Sequence, residues 1–139
     1  MTRAAHRETT AERIIFVVEN DWRTRHFICT VLKYSVKAIV IESSNPHNAL
    51  FLARQLECRI DLLISNIDLG DAKTGMDLAR EIVESNPSIR VLLMSGRRRV
   101  PPCGIPPAWT FLSIPFPTAA FLNCVSQLCS SLDRPDDSL

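Results

Sequence analysis

The architecture of this chain is most clearly indicated by residues 61–70, which read Asp61-Leu62-Leu63-Ile64-Ser65-Asn66-Ile67-Asp68-Leu69-Gly70. An apolar run that ends in a polar side chain and a loop is typical of a buried parallel strand. The carboxyl ends of such strands open onto the crevice in which open α/β sheets place their chemistry. A carboxylate there could attack a phosphorus atom, whereas the neutral amide of Asn66 cannot readily do so.

Short apolar runs alternate with amphipathic segments on both sides of this stretch. The alternation predicts strands over residues 13–18, 37–41, 60–67, 89–94 and 109–114, and helices over residues 21–34, 45–57, 74–85 and 121–132. Parallel strands need right-handed crossovers, so this order predicts a parallel sheet that is covered on both faces. We expect an α/β protein with a doubly wound, five-stranded parallel sheet of the flavodoxin-like type.

A proline-rich segment, residues 96–108, interrupts this alternation before the fifth strand. It contains Pro101, Pro102, Pro106 and Pro107. Each proline removes a backbone donor and clashes with the preceding turn, which costs about 3 kcal/mol in a helix interior. The sequence therefore predicts an irregular segment in the place of a fourth helix.

Length and charge restrict the class of protein. The chain has 139 residues, enough for one domain with a sizeable core. Its 16 basic and 15 acidic residues give a net charge of +1, which favours neither nucleic acid nor anionic lipid. No apolar run approaches the ~20 residues of a membrane helix, and residues 1–12 lack the apolar stretch of a signal peptide. We expect a cytoplasmic protein with a disordered extension over residues 1–12, one domain over residues 13–132 and a polar tail over residues 133–139.

The cysteines are odd in number and form no Cys-x-x-Cys pair. Each lies in or near an apolar segment: Cys29, Cys58, Cys103, Cys124 and Cys129. This distribution favours buried free thiols in a reducing cytosol over disulfides or a zinc site.

Four motifs follow one another at consistent spacing. They are Val17-Val18-Glu19-Asn20-Asp21, residues 61–70 with Gly75-Met76-Asp77-Leu78, Val91-Leu92-Leu93-Met94-Ser95-Gly96, and Phe111-Leu112-Ser113-Ile114-Pro115-Phe116. With these motifs the chain resembles the receiver domain of two-component response regulators from about residue 13 to residue 132. The resemblance implies the receiver fold, a cis peptide between Ile114 and Pro115, and a place in phosphorelay signalling.

The mechanism of that family assigns a role to each motif. An aspartate accepts a phosphoryl group from a histidine kinase, and Mg²⁺, held by that aspartate and one member of an acidic pair, neutralises the developing charge. A lysine pairs with the phosphate, a hydroxyl group hydrogen-bonds it, and an aromatic ring turns inward behind the hydroxyl. The resemblance places Asn66 at the phosphoacceptor position and Ile114 at the lysine position.

The remaining positions are retained in part. Glu19 and Asn20 occupy the acidic pair, Ser95 the hydroxyl position and Phe111 the aromatic position. An amide oxygen is a weaker ligand for a hard cation than a carboxylate, so we expect weak or absent Mg²⁺ binding and no other cofactor. The resemblance thus predicts a degenerate pseudo-receiver that is not an enzyme, cannot accept phosphate, and acts as a protein-interaction module.

Two alternatives remain open. Asp68, Asp21 or a hydroxyl group could serve as a substitute phosphoacceptor, and Glu19 and Asp68 are weak candidates for a metal site. A small flavodoxin-type cofactor binder is disfavoured, because residues 19–22 offer no glycine or run of hydroxyls to cradle a phosphate.

The candidates for an interaction surface are Arg97, Arg98, Arg99 and Trp109. Solvated loop charge is the ordinary role of such an arginine run, and contact with an acidic partner is the sharper hypothesis. Nucleic acid is disfavoured, because neither interleaved aromatic residues nor a recognition helix is evident. We expect a protein partner, such as a histidine kinase or another signalling protein, with a homodimer as a further option.

Overall fold

A computed structural model describes residues 13–133; the predicted extension over residues 1–12 and residues 134–139 of the predicted tail lie outside the described residues. The strands are β1 (Arg13–Val18), β2 (Ala38–Ser43), β3 (Leu62–Asn66), β4 (Arg90–Ser95) and β5 (Thr110–Ser113). The helices are α1 (Trp22–Ser35), α2 (Pro46–Gln55), α3 (Gly75–Ser85) and α4 (Thr118–Asp133).

The five strands form one parallel sheet in the order β2-β1-β3-β4-β5. The chain starts near the centre with β1, moves outward to β2, and returns to the other side of β1 with β3. This arrangement confirms the predicted doubly wound, flavodoxin-like sheet. The connection reverses between β1 and β3, so the crevice at their carboxyl ends is the expected position of a site.

Alternating side chains of the central strands build two cores, one on each face of the sheet. Val17 packs with Ile28 of α1 and Phe121 of α4 on one face. Phe16 points to the opposite face, where it packs with Leu78 of α3 and with residues of α2. Full burial of one such large apolar side chain contributes about 1.5–3 kcal/mol, so the two cores stabilise the sheet from both faces.

The first three helices begin at side chains that accept backbone hydrogen bonds. Asp21 accepts from the backbone nitrogen of Thr24 at 2.9 Å, and Asn45 caps α2 in the same way. Thr74 and Asp77 form a reciprocal capping box at the start of α3. Caps of this kind contribute about 1 kcal/mol each, and they fix where each helix leaves the carboxyl edge of the sheet.

The proline-rich segment contains no helix, as its prolines predict. Its path is set by a hydrogen bond from Nη2 of Arg80 to the carbonyl oxygen of Gly104 at 3.2 Å. Ile105 and Trp109 pack against the core that α2 and α3 cover. The segment therefore covers part of the sheet without forming the helix that would otherwise lie there.

Several details differ from the sequence predictions, among them the exact bounds of most strands and helices. Cys103 is exposed rather than buried, because the prolines keep its segment on the surface; Cys29 and Cys58 are buried, and Cys124 and Cys129 are partly buried. The second strand runs over Ala38–Ser43 instead of residues 37–41, and Asp133 still belongs to α4. Within the described part of the chain, no helix is long and apolar enough to cross a membrane.

Candidate functional site

Three strand ends meet at the carboxyl edge of the sheet. β3 lies between β1 and β4, so Asn66 at the end of β3 has the end of β1 on one side and Ser95 of β4 on the other. Glu19 directly follows β1. The parallel topology therefore brings together side chains that are far apart in the sequence.

Glu19 is a buried carboxylate whose two oxygens both accept hydrogen bonds. Its Oε1 accepts from Nδ2 of Asn66 at 2.9 Å, and its Oε2 accepts from the backbone nitrogen of Asp21 at 3.0 Å. The residue is only 1% exposed. This burial raises the pKa of Glu19, although both hydrogen bonds act in the opposite direction.

Asn66 uses both ends of its amide. While Nδ2 donates to Glu19, Oδ1 accepts from the backbone nitrogen of Asp68 at 3.0 Å. Exchanging the amide oxygen and nitrogen would set Nδ2 against the N–H of Asp68, which defines the orientation of the amide. Asn66 thus ties the buried carboxylate to the loop that follows β3.

Arg25 is a residue of this site that the sequence analysis missed. Its Nη1 donates to the carbonyl oxygen of Glu19 at 2.7 Å, and its Nε donates to Oε1 of Glu42 at 3.1 Å. No local signal marks this arginine, because its partners follow β1 and lie in β2. Its charge is held between the ends of two strands rather than directed into the crevice.

Asn20, which the resemblance places at the second acidic position, is exposed. Its Nδ2 lies 3.1 Å from the position that a Cβ on Gly70 would occupy. Gly70 has a φ of +67°, a conformation that glycine adopts without strain. The loop after β3 can therefore approach Asn20 closely.

Ile114, which the resemblance places at the lysine position, supplies no charge. It packs against the core that α1 and α4 cover, and it lines an apolar cavity of about 370 Å³ together with Phe27 and Phe116. Its backbone nitrogen donates to the carbonyl oxygen of Ser95 at 2.8 Å. The peptide bond between Ile114 and Pro115 is cis, as the resemblance implied.

The two positions predicted to act as a switch lie on β4 and β5. Ser95 is 3% exposed, and its Oγ accepts from the backbone nitrogens of Arg97 and Arg98 at 3.1 and 3.2 Å. Phe111 is partly buried against the core on the α2 and α3 face. Ser95 therefore shapes the start of the proline-rich segment, and Phe111 contributes to packing.

An ion pair joins the loops after β3 and β4. Nε of Arg97 lies 3.1 Å from Oδ2 of Asp68, and the two side chains are 82% and 45% exposed. Oδ1 of Asp68 accepts from the backbone nitrogen of Gly70 at 3.0 Å. Arg98 and Arg99 are exposed beside this pair, whereas Trp109 is half-buried.

Comparisons with known proteins identify the fold. No protein-family model and no curated protein matches the chain. The signal receiver domain of an HD domain-containing protein from Pseudomonas fluorescens Pf-5 is 19% identical, with a TM-score of 0.75 over 87% of this chain and 97% of that one. The receiver domain of the hybrid histidine kinase CckA is 23% identical, with a TM-score of 0.70 over 83% and 97% of the two chains. A response regulator receiver domain protein from Clostridium thermocellum is 18% identical, with a TM-score of 0.75 over 87% and 97%. The chain has the receiver fold.

The donor atoms at this edge of the receiver fold do not suit Mg²⁺. That ion requires near-octahedral oxygen coordination and is usually held by one or two carboxylates. Here Glu19 has both oxygens engaged by protein donors, Oδ1 of Asn66 is engaged by Asp68, and Asn20 adds only an amide. Over residues 13–133, no group of three acidic, histidine or cysteine side chains could hold a metal ion.

Proposed function

We propose that this chain is a receiver-fold signalling module that acts through protein contacts and does not accept a phosphoryl group. The hydrogen bond from Asn66 to Glu19 is the observation that carries this proposal. A neutral amide stands at the position that the resemblance assigns to the phosphoacceptor, and its Nδ2 donates a hydrogen bond to the buried carboxylate. Two carboxylates could not make this contact unless one of them were protonated.

The chemistry of phosphoryl transfer supports the same conclusion. The reaction needs an attacking oxygen, a metal ion that bridges phosphate oxygens, and cations that neutralise the developing charge. Asn66 offers no attacking carboxylate oxygen, the donor set does not suit the metal ion, and Ile114 carries no positive charge. Two guanidinium groups near this edge already have partners, because Arg25 contacts Glu42 and Arg97 pairs with Asp68.

The same contacts favour a single resting conformation of the loops at the carboxyl edge. Asn66 fixes the backbone at Asp68, and Asp68 in turn pairs with Arg97 beyond β4. Loops that form the movable part of a switch usually have few such contacts. A protein with this arrangement signals by presenting a fixed surface or by associating with a partner.

The proline-rich segment is the surface at which we place partner recognition. Residues 97–100 are exposed, and the segment is held to α3 through Arg80 and Gly104. An anchored segment with exposed charge loses little conformational freedom on binding, which favours specific contacts. The partner is a signalling protein, for example a histidine kinase, or a second copy of this chain.

Beryllofluoride with Mg²⁺ tests the proposal, because this reagent mimics a phosphoryl group on a carboxylate. Backbone amide spectra should show no saturable change at residues 19, 66 and 95 relative to Mg²⁺ and fluoride without beryllium. Saturable changes confined to these strand ends would overturn the proposal. Sedimentation velocity then distinguishes the partners: a monomer excludes the second copy at the concentration used, and a dimer supports it.

A further inference from the structure

The apolar cavity of about 370 Å³ that Ile114 lines lies between α1 and the segment that follows β5. Helix α1 contributes Phe27 and Ile28 to it, and the segment after β5 contributes Phe116. Apart from Ile114, none of the positions that the resemblance assigns to phosphate chemistry lines this cavity. Its volume is in the range of sites that bind small molecules, which is about 300–1,000 Å³.

Aromatic rings line this cavity from both of its sides. The ring of Phe116 stacks on that of Phe121, with centroids 5.1 Å apart and 7° between the ring planes, and Phe121 is fully buried. Because this stacking already holds the Phe116 ring in place, a ligand that contacts it has little side-chain motion to restrict. On the α1 side, Phe27 is 46% exposed. A large ring that is half open to water beside a cavity gains stability when an apolar ligand covers it.

Arg23 adds one positive charge to these apolar walls. It lines the cavity and is exposed, and its Cζ lies 5.4 Å from the centroid of the Trp22 ring, a cation–π contact. No acidic residue lines the cavity. None of the ion pairs found among residues 13–133 includes Arg23, so its guanidinium donors are available to a ligand.

The carboxylate of Asp21 is the acidic group that interacts with Arg23, and it is already engaged elsewhere. Its Oδ2 accepts hydrogen bonds from the hydroxyl and the backbone nitrogen of Thr24 at 2.7 and 2.9 Å. These hydrogen bonds lower the pKa of Asp21, and Arg23 adds a weaker attraction. Asp21 therefore serves as the cap of α1 and leaves Arg23 free to bind a second carboxylate.

We propose that this cavity binds a small aromatic carboxylate, with its ring between Phe27 and Phe116 and its carboxylate on Arg23. An aromatic body suits these walls, because aromatic rings attract one another when they stack with an offset or meet edge to face. A planar guanidinium group holds a carboxylate through two parallel hydrogen bonds. Such a ligand reaches the module without phosphoryl transfer, and none of these three residues takes part in the Asn66 to Glu19 contact.

Isothermal titration calorimetry at constant ionic strength tests the proposal with 1-naphthylacetate and with the uncharged 1-naphthylacetamide. The carboxylate should bind saturably and about fivefold more tightly than the amide, which corresponds to about 1 kcal/mol. Arg23→Gln should remove this advantage and leave the affinity of the amide unchanged. Phe27→Ala should weaken both ligands about tenfold. Both positions are exposed, so both variants should fold.

Phe51→Ala and Arg54→Gln are the matched controls, because they make the same chemical changes at exposed positions of α2, which does not line the cavity. Neither should alter the affinity of either ligand. Backbone amide spectra with 1-naphthylacetate should show saturable shifts at residues 24, 27, 114 and 116. Absence of saturable binding, equal affinities for the carboxylate and the amide, or equal losses in the control variants would overturn the proposal. Such a result would leave the proposed function standing, because that function rests on Asn66 and Glu19.

Discussion

Gly75 brings the first turn of α3 so close to Asn66 that a Cβ on the glycine would lie 2.0 Å from the carbonyl oxygen of Asn66. The backbone nitrogen of Gly75 also donates to the carbonyl oxygen of Ile67 at 2.8 Å. The start of α3 is therefore held directly against the end of β3. The loop between them, which carries Asp68, can span the site only because this contact is possible.

Gly75→Ala should destabilise the protein strongly. Its methyl group would overlap backbone atoms that cannot rotate away, and overpacking of this kind costs about 1–3 kcal/mol. Gly96→Ala is the matched control, because a Cβ there meets nothing within 4 Å. Chemical denaturation should show a clear loss of unfolding free energy for the first variant and almost none for the second. Similar values for both would contradict the close packing of α3 on β3.

The buried carboxylate of Glu19 should make stability depend on pH in a defined direction. Burial raises the pKa of Glu19 in the folded protein, so its favourable contribution is complete below the unfolded pKa and is lost as the pH rises through the folded pKa. Glu19→Gln lacks this titration. Capping hydrogen bonds lower the pKa values of Asp21 and Asp77, and their effect on the pH dependence of stability is present in both proteins, so it cancels in the comparison. We therefore subtract the unfolding free energy of Glu19→Gln from that of the wild type. This difference should increase as the pH is lowered from neutral to about 5. A constant or falling difference would show that Glu19 is not desolvated.

Asn66→Asp should lower stability at neutral pH and recover it in acid. The new carboxylate would face Oε1 of Glu19, whose distance from Nδ2 of Asn66 is 2.9 Å in the wild type. We expect a loss of about 2–3 kcal/mol, because one of two adjoining carboxylates must be protonated or expelled into water. Asn123→Asp makes the same chemical change at an exposed position of α4 and should have little effect. Thermal unfolding at several pH values measures both, and equal losses would argue against the Asn66 to Glu19 contact.

Millimolar Mg²⁺ should leave the melting temperature of the wild type unchanged. A ligand that binds only the folded state raises the free energy of unfolding by RT ln(1 + [L]/Kd). The donors of Glu19, Asn20 and Asn66 do not suit this ion, so its Kd should lie far above the concentration used. Differential scanning calorimetry with NaCl at matched ionic strength is the control. We expect a shift below about 1 °C, and a specific rise of several degrees would reveal a functional metal site.

The sequence predicted the sheet because its signals are local. The apolar run before Asn66, the caps at Asn45 and Thr74, and the prolines of residues 96–108 each determine nearby backbone through short-range sterics or hydrogen bonds. The exposure of Cys103 was mispredicted for the opposite reason. An apolar neighbourhood in the sequence does not bury a residue when prolines hold its segment on the surface.

The contacts that define the site could not be predicted in the same way. Glu19 and Asn66 are 47 positions apart in the sequence, and their hydrogen bond depends on the register of β1 and β3. The roles of Arg25 and of the Asp68 to Arg97 pair likewise depend on which strand ends adjoin. The resemblance to receiver domains named the positions, but only the assembled sheet shows how their side chains satisfy one another.

The central claim concerns covalent phosphorylation, and three variants provide its controls. Asn66→Asp alone should remain a poor acceptor, because Ile114 still supplies no cation. Adding Ile114→Lys should increase acceptance. Asp68→Asn tests the alternative acceptor, since any phosphoryl group on Asp68 would disappear in that variant. All proteins are incubated with acetyl phosphate and Mg²⁺.

Intact mass under denaturing conditions, in which non-covalently bound phosphate is removed, gives the most direct answer. We predict that the wild-type chain keeps its unmodified mass, while the variant with both Asp at position 66 and Lys at position 114 gains one phosphoryl group. A wild-type chain that acquires one phosphoryl group stoichiometrically would contradict the account, and its presence or absence in Asp68→Asn would identify the oxygen that accepted it.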